Sequence, residues 1–258
     1  MSFLSVAIKA ATAAGEVIRP ELRKILSYEE KGENDFVTEV DLRAEEKIKS
    51  VILSSFPDHE ILSEESGATG DSKYRWIVDP LDGTKNFIHG FPYIAVSIAL
   101  QIGGNLHLGV ILDVASNNLY WAEAGQGAFK NGERISVSKT NRLSRAMIAT
   151  GFPFRKKKFL DLYLKMFREV FLNVSAVRRV GAAALDLAYV AEGIFDGFFE
   201  FFLAPWDIAA GIVIIREAGG ITFSIGDELS GNIIAANPYI FENLKNLVFK
   251  FRDELENF

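Results

Sequence analysis

Two aspartates that follow a short apolar run are the residues best suited to chemistry. Asp79 and Asp82 stand three positions apart, directly after the run at 76–78, and Gly83 and Thr84 come next. When a strand ends in carboxylates and a hydroxyl, these groups lie at its carboxyl end, where the sites of α/β proteins are commonly built. Glycine at that point lets the backbone pass close to a bound group. The segment therefore predicts a site at one strand end.

Other carboxylates lie in three further segments of the chain. Glu64 and Glu65 are adjacent, Asp41 comes two residues after Glu39, and Asp207 begins an apolar run with helical spacing. The chain contains no cysteine and only three histidines, so a metal would have to be held mainly by oxygen. Mg²⁺ requires hard oxygen ligands of this kind, gathered from several elements. The combination predicts a magnesium site.

Each of these segments also has an ordinary structural explanation. Asp41 and Asp207 both precede helical patterns, where an aspartate commonly caps a helix or complements its first turn. Glu64 with its acidic neighbour is typical of a solvated loop, and Asp82 followed by Gly83 is typical of a turn. The metal site is favoured only because all four segments occur in one chain.

Composition narrows the class of protein. The 258 residues include 34 acidic and 28 basic ones, and the formal net charge of -6 disfavours binding to nucleic acid. The absence of cysteine excludes disulfides and thiolate catalysis. No signal peptide is expected, because Lys9 interrupts the apolar stretch at 3–17 and no basic residues precede it. No membrane span is expected either, because polar residues and glycines interrupt the long uncharged stretch at 86–112. We therefore expect a cytoplasmic protein with no membrane partner.

The hydrophobic pattern predicts a mixed α/β fold. Apolar residues recur at helical spacing over 4–25 and 41–56, which indicates that the first quarter is helical. Short apolar runs then indicate neighbouring strands of an antiparallel sheet at 76–78, 94–100, 106–112 and 119–122. From about residue 159 helices and strands alternate. The pattern predicts four helices, one that ends at 171, one over 182–191, one over 208–218 and one that begins at 239. It predicts strands over 194–200 and near residues 221 and 233.

This change of pattern predicts two halves that pack tightly as one unit. Residues 1–140 form an α+β half that carries most of the acidic residues of the predicted site. Residues 141–258 form an α/β half that carries Asp207 and further contacts to a substrate.

Two longer motifs include these residues. The first is Asp-Pro-Leu-Asp-Gly-Thr-Lys-Asn-Phe at 79–87, and the second is Pro-Trp-Asp-Ile-Ala-Ala-Gly at 205–211, followed by Glu-Ala-Gly-Gly at 217–220. Together with shorter blocks at 35–41, 64–66 and 181–185, they resemble the signatures of the inositol monophosphatase family over essentially the whole chain. The resemblance implies a homodimer with the five-layered αβαβα sandwich of the inositol monophosphatase and fructose-1,6-bisphosphatase type.

The resemblance also implies a set of metal ligands. A first Mg²⁺ would be held by Glu64, Asp79 and the backbone carbonyl of Leu81, and a second by Asp79, Asp82 and Asp207. A third, weaker ion would depend on Glu64 and waters. Two or three ions of this kind neutralise the charge on a phosphate group and on the leaving alkoxide.

The implied activity is hydrolysis of inositol-1-phosphate or a related polyol or sugar phosphate. A metal-activated water, oriented by Glu64 and by a Thr84 hydroxyl that Asp41 holds, would attack phosphorus in line, without a phosphoenzyme. The residues that the resemblance implies for substrate binding are Asp82, Gly83, Thr84, Gly181, Ala182, Ala183, Glu200 and Asp207. Many relatives have serine or threonine where this chain has Ala182, so the resemblance implies a different recognition of the polyol at this position.

Several alternatives stay open at the level of sequence. Lys85 would either attract phosphate or point to solvent, and Arg178 with Arg179 would bind a second phosphate or lie at a surface. Fructose-1,6-bisphosphatase, a dual-specificity enzyme and 3'-phosphoadenosine-5'-phosphate phosphatase share the implied metal cluster. A haloacid-dehalogenase-type phosphatase is disfavoured, because one residue separates its two aspartates, whereas two residues separate Asp79 from Asp82. A partner-binding regulatory protein would use the basic run at 155–158 and the pair Arg178 and Arg179 as local basic patches.

Overall fold

The computed structural model describes residues 1–24, 28–32, 35–154, 156–251 and 254. In this part of the chain the helices are α1 (Phe3–Ile18), α2 (Glu39–Ser55), α3 (Thr84–Ile88), α4 (Leu160–Asn173), α5 (Ala183–Glu192), α6 (Pro205–Glu217) and α7 (Phe241–Phe249). The strands are β1 (Tyr28–Gly32), β2 (Asp35–Thr38), β3 (Glu60–Ser63), β4 (Gly67–Thr69), β5 (Tyr74–Asp82), β6 (Ala95–Ile102), β7 (Asn105–Asp113), β8 (Asn118–Glu123), β9 (Gly127–Lys130), β10 (Glu133–Ile135), β11 (Met147–Thr150), β12 (Ala176–Arg178), β13 (Gly197–Glu200), β14 (Ile221–Ser224) and β15 (Ile233–Ala236). None of the described helices combines the length and the apolar character that crossing a membrane requires.

These elements stack in five layers. α1 and α2 pack on one face of an eight-stranded sheet, around a core that includes Ile48 and Trp76. α5 and α6 fill the space between that sheet and a five-stranded sheet. α4 and α7 pack on the outer face of the second sheet. Each sheet thus has helices on both faces, and the predicted αβαβα sandwich is confirmed.

The first sheet has the strand order β10-β9-β8-β7-β6-β5-β3-β4. Consecutive strands from β5 to β8 pair antiparallel, as the alternation of apolar runs and turns predicts. The pairing of β5 with β6 changes register between Asp79, which lies opposite Ser97, and Asp82, which lies opposite Ala95. Three steps along β5 therefore match two along β6, and this bulge contains Pro80, which has no N–H to pair. The bulge bends the strand at the aspartates.

The second sheet has the order β12-β11-β13-β15-β14. β11 lies parallel to both β12 and β13, and the remaining pairs are antiparallel. The helices predicted for this half are present, but α6 begins at Pro205, whose ring suits the first position of a helix. β13 begins at Gly197, because Gly193 adopts a left-handed conformation (φ 80°) and ends α5 in a turn.

The first quarter is less helical than its periodicity predicts. α1 ends at Ile18, because Pro20 in the following turn of 3₁₀ helix has no N–H with which to continue the α-helix. Ile25, the last residue of the predicted pattern, lies outside the described residues. β1 and β2 form an antiparallel hairpin, although helical periodicity predicts no strand there.

A close contact between β7 and α6 fixes the second half of the site against the first. A β-carbon added at Gly109 would lie 2.8 Å from the Cα of Ala210, so only glycine lets the helix approach this near. The amino end of α6 carries Asp207, whose position relative to β5 depends on this packing. The first sheet ends at Ile135 and the second begins at Met147, and the division into halves at residue 140 stays a prediction.

Candidate active site

A cleft opens where the carboxyl end of β5 meets the beginnings of α3, α5 and α6. Its cavity volume is about 170 Å³, which exceeds by far the roughly 10–15 Å³ that a single water needs. The cleft therefore has room for a small ligand together with ions. It is lined by Phe36, Glu64, Asp79, Leu81, Asp82, Gly83, Thr84, Lys85, Asn86, Gly151, Phe152, Pro153, Phe154, Arg179, Gly181, Ala183, Glu200, Phe201, Phe202, Leu203 and Asp207.

Three aspartates of the cleft are each anchored by a backbone N–H. Asp79 Oδ1 accepts a hydrogen bond from Leu81 N (2.9 Å), and Asp82 Oδ2 accepts one from Ala184 N (2.7 Å). Asp207 Oδ2 accepts a hydrogen bond from the N–H of residue 204, just before α6 (2.7 Å). One oxygen of each carboxylate is thus fixed by a backbone N–H, which also orients the other oxygen of the same carboxylate.

Burial and mutual repulsion act together on this cluster. Burial raises the pKa of Asp79 well above its ordinary value, and the nearby charges of Glu64, Asp82 and Asp207 raise this pKa further. The pKa of Asp82 is raised in the same way, by burial first and then by Asp207. Carboxylates that must ionise so close together favour either protonation or a bound cation.

The donor set fits a hard cation such as Mg²⁺. Carboxylate oxygens and a backbone carbonyl surround the cleft, and the described residues that line it include neither cysteine nor methionine. Among the described residues, no group of three acidic or histidine side chains is already arranged to hold an ion.

Thr84 and Asp41 are brought together, as the sequence predicts. Thr84 Oγ lies 3.1 Å from Asp41 Oδ1 and 3.1 Å from the Leu81 carbonyl, and both oxygens are acceptors for its hydrogen. Asp41 Oδ2 accepts from the N–H of Thr38 (2.9 Å) and also from its hydroxyl, which completes a capping box at the start of α2. Asp41 is therefore both a helix cap and a partner of Thr84.

The raised pKa values of the buried aspartates make the stability of the metal-free protein depend on pH. Because the pKa of Asp79 is raised on folding above its ordinary value of 3.8, the folded protein binds more protons than the unfolded chain. This group's contribution to stability is complete below the unfolded pKa and is lost as pH rises through the folded pKa. In EDTA, the free energy of unfolding should therefore fall more from pH 4 to pH 7 in the wild type than in an Asp79→Asn variant. Urea titrations at both pH values check this, and equal falls in the two proteins would contradict it.

The residues expected to bind substrate lie around the cleft, with one exception. Gly83 adopts a left-handed conformation (φ 91°) at the start of α3, and Gly181 does so (φ 97°) just before α5. Glu200 lines the cleft from the end of β13. Ala182 does not line it, and only 1% of its surface is exposed.

The opposite rim of the cleft carries residues that the sequence pattern did not single out. A β-carbon at Gly151 would overlap the carboxylate of Glu200, so glycine is needed there for Glu200 to face the cleft. Phe154 is 42% exposed at the mouth. Both residues follow β11, whose carboxyl end lies beside that of β13, and this edge is where the rule for α/β sites would have placed them.

Two cations lie against the exposed ring of Phe154. The guanidinium of Arg179 is 5.1 Å from the ring centre and the ammonium of Lys85 is 5.0 Å from it. Both cations line the cleft, whereas Arg178 does not and donates to its neighbouring carbonyl, Val177 O (3.0 Å). The two arginines thus have different surroundings.

The basic run is described in part. Arg155 lies outside the described residues, and Lys156, Lys157 and Lys158 are exposed beside the rim.

Comparisons with known proteins identify the family. The model of the inositol monophosphatase family matches residues 1–253. A protein of Aquifex aeolicus named fructose-1,6-bisphosphatase/inositol-1-monophosphatase is 46% identical over 255 residues, 97% of each chain. The Nus factor SuhB of Escherichia coli K12 is 44% identical over 262 residues, 98% of this chain and 97% of its own. The crystal structure of extragenic suppressor protein SuhB from Bartonella henselae superimposes with a TM-score of 0.91 at 42% identity, covering 95% of this chain and 97% of that one. The chain therefore belongs to the inositol monophosphatase family, and this membership supports phosphatase chemistry of a kind that in general depends on Mg²⁺.

Proposed function

We propose that the protein hydrolyses inositol-1-phosphate, or a related polyol or sugar phosphate, by direct in-line attack of water in the presence of Mg²⁺. The observation that carries this proposal is the group of three buried aspartates, Asp79, Asp82 and Asp207, with the half-buried Glu64 beside them, whose mutual repulsion a cation would relieve. Family membership supports phosphatase chemistry at the same cleft.

Five groups of the chain would hold the metal. We assign Glu64, Asp79 and the carbonyl of Leu81 to one Mg²⁺, and Asp79, Asp82 and Asp207 to a second. A third, weaker ion would depend on Glu64 and waters. Bound Mg²⁺ would neutralise the phosphate oxygens, lower the pKa of the attacking water and stabilise the leaving alkoxide.

Thr84 and Glu64 would orient the attacking water. When Thr84 Oγ donates its hydrogen to Asp41, its lone pairs can accept a hydrogen bond from that water. Burial raises the pKa of Asp41, so its carboxylate is suited to receive the proton that Thr84 passes on. Because the water itself attacks phosphorus, no residue of the chain needs to form a covalent bond to the phosphoryl group.

The remaining lining residues would bind the ester. The backbone N–H groups of Gly83 and Thr84 would donate to phosphate oxygens, as backbone amides do in other anion sites. The carboxylate of Glu200 would accept hydrogen bonds from ring hydroxyls, in the space that Gly151 leaves open. Gly181 and Ala183 would contribute backbone to the same side, while the buried Ala182 offers no hydroxyl.

Hydrolysis of fructose-1,6-bisphosphate is the second candidate activity. Arg179 and Lys85 lie at the rim, where a second phosphate of a bound sugar would find a positive charge. The relative from Aquifex aeolicus is named for both activities. A dual-specificity enzyme would use one metal site for both esters.

A substitution at Arg179 should separate the two substrates. Arg179→Met keeps an apolar stem on Phe154 and removes the charge. Loss of a hydrogen bond between charged groups costs roughly 10–100-fold, which should appear in kcat/KM for fructose-1,6-bisphosphate but not for inositol-1-phosphate. Arg178→Met is the matched control, since that side chain does not line the cleft. Equal losses for both esters would contradict a second-phosphate role for Arg179.

Phosphate release from a panel of esters tests the proposed activity. Inositol-1-phosphate, fructose-1,6-bisphosphate and 3'-phosphoadenosine-5'-phosphate are each supplied with Mg²⁺ and with EDTA. We expect release that requires Mg²⁺ and is fastest with one of the first two. Folded protein that releases phosphate from none of them would contradict the proposal.

We also propose a homodimer, with exposed apolar side chains on α4, including Leu164 and Phe171, as a feature that favours association. Sedimentation that detects only monomer at micromolar concentration would contradict it.

A partner-binding role beside catalysis is supported by the 44% identical Nus factor and by the exposed lysines at 156–158. A variant without turnover that still performs such a role would separate the two functions.

A further inference from the structure

Helix α2 carries a second buried acid that the proposed mechanism does not use. Glu45 lies four residues after Asp41, on the same face of the helix, and only 4% of its surface is exposed. Its neighbours along this face, Ala44 and Ile48, are apolar and fully buried. Burial of a carboxylate costs free energy unless hydrogen bonds compensate for the lost water. The contacts of Glu45 therefore have to account for its position.

The hydrogen bonds of Glu45 go to the residues on either side of Glu64. Its Oε2 accepts from the hydroxyl of Ser63 (2.5 Å) and from the backbone N–H of Glu65 (3.0 Å). Its Oε1 lies 3.8 Å from the ammonium of Lys49, one turn further along α2. A single side chain thus holds the hydroxyl of the residue before Glu64 and the backbone of the residue after it.

Glu64 is also fixed at its own backbone. Its N–H donates to the carbonyl of Val78 on β5 (3.2 Å), next to Asp79. Glu64 lines the cleft and its charge acts on Asp79, whereas Glu45 does not line the cleft. Glu45 therefore acts on the site only through the segment that it holds.

We propose that Glu45 is a positioning residue, which holds the Glu64 segment where that carboxylate and Asp79 can share a cation. The inference rests on the proposed metal-dependent function. Helix α2 then sets two parts of the site with acids one turn apart, since Asp41 holds Thr84 and Glu45 holds the Glu64 segment.

Calorimetric titration of Mg²⁺ into the substrate-free protein tests this role. Outer-shell partners of metal ligands contribute about 10–100-fold to affinity, so Glu45→Gln should weaken Mg²⁺ binding by roughly tenfold or more. Turnover of the variant should recover as Mg²⁺ is raised, which a damaged fold would not allow. Glu60→Gln is the matched control: Glu60 is 5% exposed, lies on β3 and pairs with Arg75 (2.8 Å) away from the cleft, so its loss should leave Mg²⁺ affinity unchanged.

Ser63→Ala provides a second variant if Glu45→Gln does not fold. It removes one donor to Glu45 and should weaken Mg²⁺ binding less, and the double variant should show less than the product of the two effects. Mg²⁺ binding as tight in folded Glu45→Gln or Ser63→Ala as in Glu60→Gln would overturn the positioning role while leaving the proposed function intact. Failure of the wild type to bind Mg²⁺ would overturn both.

Discussion

Replacement of Asp79 by asparagine is expected to lower kcat for phosphate release at least roughly 1,000-fold, which corresponds to about 4 kcal/mol of activation free energy. Asp79 is the carboxylate that both proposed metal positions share, and burial leaves no water to take over its charge. Asparagine keeps the size of the side chain and an acceptor for Leu81 N, so the change is one of charge. Initial rates with inositol-1-phosphate at saturating Mg²⁺ measure the effect.

The same substitution should stabilise the metal-free protein, which distinguishes loss of a ligand from loss of the fold. Removal of one buried negative charge relieves repulsion from Glu64, Asp82 and Asp207, so the thermal midpoint in EDTA should rise and its increase on adding Mg²⁺ should disappear. Asp71→Asn at an exposed position is the control and should change neither property. Turnover near that of the wild type in Asp79→Asn would show that the metal assignment is wrong.

A pair of substitutions at Asp82 should separate its two contacts. Asp82→Asn removes charge from the proposed second metal position but retains an oxygen for Ala184 N, so turnover should fall by a similar factor of roughly 1,000. Asp82→Ala should lose turnover to the same extent, and it should be about 1 kcal/mol less stable than Asp82→Asn, because the first turn of α5 loses its cap. Ala182 at the helix start has no side chain able to replace it.

Kinetics and denaturant unfolding of both variants, measured together, check this separation. Equal stability of Asp82→Asn and Asp82→Ala would contradict the capping role. High turnover of Asp82→Asn would contradict the metal role.

One part of the site could be predicted from local pattern, because Asp79, Asp82, Gly83 and Thr84 lie within six residues of one another. The run at 76–78 followed by Asp79 and Asp82 identifies a strand end from local pattern alone, and the structure places both aspartates there. The bulge around Pro80 was not predicted, since it is defined by the pairing of β5 with β6 and not by β5 itself. The contact between Asp82 and Ala184 joins residues 102 positions apart, which no local pattern specifies.

Asp41 has two roles that are alternatives at the level of sequence and that the structure combines. From the sequence, a helix cap and a contact within the site compete for this one residue. A carboxylate has two oxygens, however, and Oδ2 of Asp41 caps α2 while Oδ1 contacts Thr84. The hairpin of β1 and β2 was missed because its run of charged residues lacks the apolar alternation of a buried strand. Such a hairpin is defined by its pairing.

The most direct test measures bound Mg²⁺ and phosphate release on the same samples. Equilibrium dialysis gives the ions bound per chain over a range of Mg²⁺, and release from inositol-1-phosphate is followed at each concentration. We expect phosphate release to rise with bound Mg²⁺, and we expect Asp79→Asn to lose both the bound Mg²⁺ and the release. Full release in EDTA, or wild-type Mg²⁺ binding by Asp79→Asn, would contradict it.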